Sequence, residues 1–508
     1  MRYATIGSTV VLAALAIGDP IAQSATVATS ADLQDALNRA RPGDTILLTR
    51  GTTYVGNFTL PVKDQSDRVI TVRTAGDEGL PAQGERITPQ AAGSLAKLRS
   101  PSGSPALATA PGAHGWRIEL LEVQANRNGA GDMIALGDGG RTQNSVAKAP
   151  SAITLDRLYI HGDPERGQKR AIALNAGETT ITGCYISDIK AIGQDSQAIG
   201  GWNGPGNYTI ENNYLEAAGE NVMFGGADPA IPDLVPSRIV IRDNLFSKPL
   251  AWREQQQSGG PVWQVKNLFE LKNARGVLVE HNVMERSWQQ AQSGYAILFT
   301  VRNQDGACPW CQVEDVEFRF NLVRDVAAAI QVLGIDNHYP GHQTNNIRIH
   351  DNVFDGIDRE AWGGDGYFML LTNAPRDIVV DHNTIVQRAS GGLIKIGHGI
   401  APNITLTNNI AGHGKYGIIG TGHGIGNDSI AAFLPGARIT NNVLAGGNKS
   451  VYPAGNLFPS LPDLKRQFVG YDTGNYQLAP SSAWLHAGTD GSTLGADVSR
   501  VAEAPPPR

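Results

Sequence analysis

The densest chemistry in the chain lies in two short phrases, NLFELKN at residues 267–273 and ILFTVRN at 297–303. If both are strands, their alternating apolar residues point one way and Glu270, Lys272, Thr300 and Arg302 point the other. An amine beside a guanidinium can remove a proton and steady the anion that forms. Other polar residues extend this set: Gln197 and Trp202 earlier, Glu220, Asn221 and Asp228 around ENVMFGGAD, and Gln331 and Lys395 further along. Carboxylates among them can hold a hard cation or work as an acid and base pair.

A second constellation is Cys308-Pro-Trp-Cys311, followed by His338 and His342. It reads either as a loop disulfide or, with the two histidines, as a structural zinc site. Cys184 sits in an apolar strand pattern and reads as a small buried hydrophobe. Three cysteines make no disulfide framework, and a chain of 508 residues can bury a core without one.

These residues stand on a lightly charged background, with 18% charged against 41% hydrophobic positions, 60 Gly and 28 Pro. Such a composition excludes disorder and calls for many tight turns. The formal net charge of −6 offers no attraction for phosphate backbones or anionic membranes, so nucleic acid is not an expected partner. The start reads as a secretory signal over residues 1–24: Arg2, an apolar run from Ile6 to Ile17, a break at Gly18-Asp19-Pro20, and cleavage after Ser24. No later apolar run is long enough to span a bilayer. The expectation is an exported protein, extracellular or periplasmic, without membrane insertion.

What must position the polar residues is a repeat. ITGCYI, IENNYL, IRDNLF, VEHNVM, FRFNLV, IHDNVF, VDHNTI, LTNNIA and ITNNVL place Cys184, Asn213, Asn244, Asn282, Asn321, Asn352, Asn383, Asn409 and Asn442 in one column, with Leu158 ahead of them. The intervals run from 26 to 39 residues, which suits coils of constant cross-section with loops of varying length. Asn at the bend tolerates left-handed backbone, and stacked Asn side chains can bond from coil to coil. A second alignment puts Asn203, Asn273, Asn303 and Asn373 together and turns Phe269/Leu271, Phe299/Val301, Ile330/Val332, Met369/Leu371 and Ile394/Ile396 inward. Because each phrase recurs in the same direction, the strands must stack in parallel on their equivalents.

On these phrases the chain resembles the right-handed parallel β-helices of the pectin-lyase-like superfamily, including uncharacterised secreted bacterial members with the phrases DSQAIGGWNGPG, AAGENVMFGGADP and FELKN. The resemblance implies an all-β, single-stranded right-handed parallel β-helix of about ten to twelve coils. The amphipathic segment Ser30 to Ala40, with Leu33, Ala36, Leu37 and Ala40 on one face, is expected to be a short N-terminal capping helix. The domain is expected over 25–490, with the cap and first coil at 25–60 and a tail at 491–508; segments 75–115 and 125–150 are expected as loops. An even repeat suggests a monomer.

Lyases of this superfamily set a Lys and an Arg on neighbouring coils, with calcium beside them in some branches. The resemblance thus implies β-elimination on an acidic polysaccharide, with Lys272 as base, Arg302 clamping the uronate carboxylate, and Glu270, Glu220 or Asn221 holding any calcium. Trp202, Gln197, Asn221, Gln331 and Lys395 would line the glycan. The sequence departs from the alginate and chondroitin lyase branch, whose E-x-E precedes the Lys, because Glu270-Leu271-Lys272 offers one Glu at another spacing. A glycosidase using Glu220, Asp228 and Glu270 is the second reading. Gly397-His398-Gly399 and Gly422-His423-Gly424 match one polygalacturonase motif without its partners and read as turns. A non-catalytic glycan-binding or surface-structural β-helix is the third.

Overall fold

The computed structural model describes residues 22–502, so most of the expected signal segment lies outside it. The chain is a right-handed parallel β-helix. It winds through three sheets: sheet A with 14 strands from Ser24–Val27 to Arg438–Thr440, sheet B with 13 from Thr53–Val55 to Val443–Ala445, and sheet C with 12 from Phe58–Leu60 to Ile418–Gly420. Each coil visits A, B and C in turn, as in Ser237–Arg242, Leu245–Ser247 and Phe269–Leu271. Neighbouring strands pair in parallel with their equivalents one coil away.

Alternation decides what lies inside. The expected inward residues are all buried, and one continuous apolar core runs from Val27 to Tyr452. Phe299, Phe318, Phe354 and Phe368 carry aromatic contacts along its axis. The amphipathic segment is a helix at Ser30–Arg39 whose Leu33 and Leu37 join this core. Its Gln34 exchanges two hydrogen bonds with the backbone of Thr59 in the first strand of sheet C.

The Asn column forms a ladder at the corner between sheets A and B. Asn213, Asn244, Asn282, Asn321, Asn352, Asn383, Asn409 and Asn442 each donate from Nδ2 to the next amide oxygen, which also accepts the backbone N–H of the same residue. Asn456 closes the far end by accepting from Asn442. At the near end Cys184 N–H donates to Asn213, and Leu158 N–H donates to Cys184 Sγ. The left-handed residue is the one before the ladder Asn: Asn212, Asp243, His281, Phe320, Asp351, His382, Asn408 and Asn441 have φ between 49° and 60°. The sharp turn thus falls one position earlier than expected, which frees the amide to point along the axis.

Three expectations need correction. Segments 75–115 and 125–150 are not simply loops, since they contain the strands Ala96–Arg99, Leu107–Thr109 and Asp132–Leu136. Residues 491–502 do not form a free tail: Leu494, Ala496 and Val501 pack on Val353, Val386, Ile410 and Val443 of sheet B, beside Trp484. Finally, Leu271 pairs with Phe299 rather than Val301, so the register at ILFTVRN is displaced by two residues. The strand there ends at Thr300, and Asn303 turns into the following loop to bond Pro340 O and Cys308 N. An even displacement keeps each side chain on its face but moves Arg302 past the strand end.

Candidate functional site

The outer face of sheet C carries an aligned column of Gly200, Met223, Glu270, Leu298, Gln331, Leu370 and Lys395. Beside it runs a polar row formed by Asp132, Arg170, Gln197 and Glu220 at the strand starts. Both lines meet at one cluster where Glu220, Glu270, Lys266 and Lys272 come together, with Asp195, Asn267 and Thr300 around them.

Within the cluster the carboxylates lie deep and the amines lie higher. Glu220 is 0% exposed and Glu270 2%, whereas Lys266 and Lys272 each keep 15% of their side chains exposed. Glu220 Oε2 accepts from Gln197 Nε2 at 2.8 Å, and Lys266 Nζ stands 3.6 Å from Oε1. That Oε1 accepts no hydrogen bond among the described residues, nor does Asn267 Oδ1. Burial, aided by the nearby Glu270 and Asp195 carboxylates, pushes the Glu220 pKa up to about 7, against the pull of Lys266 and Lys272. Burial acts to lower the pKa of Lys266, but Glu220 and Asp195 outweigh it and hold the amine above its ordinary value. Glu270 accepts from Thr300 Oγ1 at 3.2 Å and Asn267 Nδ2 at 3.1 Å, and lies 3.7 Å from Lys272 Nζ.

The segment entering sheet C explains how Lys266 is aimed. After the helix Leu250–Gln257 the chain alternates, burying Trp263 and Val265 and leaving Gln264 and Lys266 on the other side. Trp252, Trp263, Val265 and Trp288 form an apolar wall with Ala218, and Lys190 Nζ lies 5.3 and 5.0 Å from the rings of Trp252 and Trp263. Backbone bonds from Gln264 to Ala191 O and from Lys266 to Ala218 O fix this path. Lys266 Nζ then reaches Asp195 Oδ2 at 2.6 Å. Lys266, Asp195 and Asn267 were missed from sequence, although the alternation in WQVKN already turned Lys266 outward.

The sequence-expected residues divide between the cluster and other tasks. Glu270, Lys272 and Gln197 fall in the cluster. Arg302 is drawn away: its guanidinium bonds Asp336 Oδ1 at 2.8 Å and Asn337 Oδ1, while only its backbone N–H meets Lys272 O. Asn221 is fully buried and cannot touch a glycan; it donates to Leu215 O and Ser247 O and accepts from Lys248 Nζ. Trp202 is half-buried, with its Nε1 on Gly139 O, Arg170 5.1 Å from the ring, and Gly139 so close that any side chain there would overlap the indole. Its ring is thus packed against Arg170 and Gly139. Gln331 stands in the Glu270 column two strands on, and Lys395, four strands on, pairs with Asp365 Oδ2 at 3.1 Å.

Two of the three residues named for calcium are otherwise engaged. Asn221 faces inward and Glu270 already serves Thr300, Asn267 and Lys272, which leaves Glu220 Oε1, 3.6 Å from Lys266 Nζ, as the one of them that accepts no hydrogen bond among the described residues. Two ammonium groups supply the counter-charge a cation would bring. Among the described residues no group of three or more His, Cys, Asp or Glu is arranged to hold a metal. The zinc reading falls, because Cys308 and Cys311 are joined in a disulfide and His342 Nδ1 bonds Gln312 Oε1. Cys184 is buried and free. His398 and His423 both lie in turns, His423 against Asp428.

The fold and this face place the molecule among solenoids with an exposed sheet and a walled polar cluster. Known structures agree at the level of fold. The chain is similar to the PL6 family alginate lyase AlyGC, at 13% identity and a TM-score of 0.51, over 96% of this chain and 59% of that one. It is also similar to a PL6 family polysaccharide lyase from Pseudopedobacter saltans, at 12% identity and a TM-score of 0.47, over 94% of this chain and 98% of that one. The catalytic unit of a GH87 α-1,3-glucanase from Streptomyces thermodiastaticus matches at 12% identity and a TM-score of 0.47, over 88% and 69%. No protein-family model matches the chain, and no curated protein does. No helix among the described residues is long and apolar enough to cross a membrane.

Proposed function

We propose that the protein is an exported carbohydrate-active β-helix that cleaves an acidic polysaccharide by β-elimination on the outer face of sheet C. One observation carries this reading: in the cluster the side chains of Lys266 and Lys272 stay partly exposed while Glu220 and Glu270 are buried. Two lysines over two buried glutamates, with Asp195 as the one partly exposed carboxylate beside them, suit an anionic polymer. Lys266 would hold a uronate carboxylate. Lys272, in its neutral form, would take the C5 proton; the C–H electron pair forms the C4–C5 double bond as the C4–O bond breaks, and the departing oxygen is protonated by the ammonium so formed. Gln331 and Lys395 would contact the polymer further along the same column, and Gln197 acts through Glu220.

A second reading, hydrolysis, draws on Glu220, whose pKa burial pushes up to about 7, into the range of a general acid. The burial of both carboxyl groups weighs against it. Incubation with a panel of uronate polymers, followed at about 235 nm for the unsaturated product, tests the first reading. Lys272→Ala should abolish the signal and Lys266→Ala should weaken binding. Reducing ends without that absorbance would move the assignment to hydrolysis, and retention of a glycan without turnover would reduce the protein to a binder.

A further inference from the structure

Behind the cluster, at the corner where sheet B passes into sheet C, a lysine is enclosed entirely by protein. Lys248 is 0% exposed. Its Nζ donates to the carbonyl oxygens of Ala217, Ala218 and Gly219 at 2.7, 2.9 and 2.9 Å and to Asn221 Oδ1 at 3.1 Å. Those acceptors come from the turn leading into the strand Glu220–Phe224, and the last two belong to the residues on either side of Glu220. Three consecutive carbonyl dipoles aimed at one point repel one another, and the Lys248 donors offset that repulsion.

We propose that Lys248 is a positioning residue for the site: its ammonium ties the turn 217–221 into one shape, sets Glu220 on the floor of the cluster, and supplies buried positive charge behind that carboxyl. The proposal rests on the sheet C site but not on the reaction assigned to it. The charged groups that bear on Glu220 are Glu270 and Asp195 on one sign, Lys266, Lys272 and Lys248 on the other. Burial pushes the Lys248 pKa down to about 7 while Glu220 opposes it. Lys266 and Lys272 face the substrate side; Lys248 faces only the protein.

The test follows the titration of Glu220 by carbon NMR of glutamate labelled at the side-chain carboxyl, assigned with Glu220→Gln, so that it reads the site whether or not the protein turns over a polymer. In the parent protein the midpoint should lie near neutrality. Lys248→Met, which keeps the chain length and removes the charge, should raise it by about one pH unit. Should that variant fail to fold, Lys248→Gln provides the second route, keeping an N–H donor toward the turn while removing the charge and again raising the midpoint. Lys248→Ala with added ethylammonium should return the midpoint toward the parent value, and ethanol at the same concentration should not. A Glu220 midpoint unmoved in a folded Lys248→Met or Lys248→Gln variant would overturn the proposal. A shifted midpoint in a protein that leaves every uronate polymer intact would sustain it and remove the lyase reading instead.

Discussion

The Asn ladder allows a stability prediction worked atom by atom. In Asn321→Ala the lost amide takes five hydrogen bonds with it: donation to Val279 O, Arg319 O and Asn352 Oδ1, and acceptance from the N–H and Nδ2 of Asn282. Asn282 Nδ2 keeps Ile241 O and Glu280 O, and Asn352 Oδ1 keeps the Asn321 N–H. The Asn282 backbone N–H loses its amide partner. Its desolvation costs about 1–3 kcal/mol, the remaining bonds about 0.5–1 kcal/mol each, and the sum is about 4 kcal/mol. Spread over a cooperative unit of this length, that moves the melting temperature by only about 4 °C, so melting is a blunt assay. Amide exchange is sharper. In a solenoid the loss is felt first by adjoining coils, and exchange at Asn282 N–H should accelerate by about three orders of magnitude while strands near Ile46 stay protected. Exchange at Asn282 within tenfold of the parent, together with a loss under about 1 kcal/mol, would refute the ladder as a stabilising element.

Three further outcomes follow from contacts already described. Cys184→Asn should stabilise the chain by about 1 kcal/mol, because an amide there reaches Leu155 O and Thr182 O where Sγ now lies 3.8 and 3.4 Å away; an unchanged denaturation midpoint would contradict this. Burial acts to lower the pKa of His382, but Asp381 at 3.0 Å and Asp490 at 3.6 Å overcome it and raise the value. Its stabilisation of the closing segment is then complete below the ordinary His value and lost as pH rises through the folded one, so proteolysis between Thr489 and Arg500 should be faster at alkaline pH and equal rates would exclude the clasp. The Cys308–Cys311 disulfide closes a very small loop, so its reduction should cost at most about 2 kcal/mol, with metal chelators leaving the melting curve in place.

The fold was legible because its information is repeated. Eight Asn in one column and period-two apolar pairs, each seen coil after coil, fix the corner and the inward face. What was misread depends on single coils. Asn303 has the type of a column residue but turns into its own loop, and this moved Arg302 away from Lys272 and onto Asp336. The strands at Ala96–Arg99 and Leu107–Thr109 lack a ladder Asn, so nothing periodic announced them. Site residues were half legible: Glu270 and Lys272 stood on a recognised strand, whereas Lys266 and Asp195 lie on connections whose path is set by Trp252, Trp263 and Trp288, contacts that no local pattern encodes. Lys248 was invisible for the same reason, being an ordinary charged residue until the turn 217–221 folds around it.

The ladder pins each coil at one corner and leaves the other connections without a prescribed length, which is why successive ladder residues can be 26 or 39 positions apart. Variation is thereby channelled. A duplication or insertion between sheets B and C alters the wall beside the cluster without disturbing the stacking of neighbouring coils, whereas a change between sheets A and B interrupts the amide chain. Descent with modification in such a chain would preserve the corner and rewrite the wall, so the same scaffold can acquire a new ligand at little risk to its own folding.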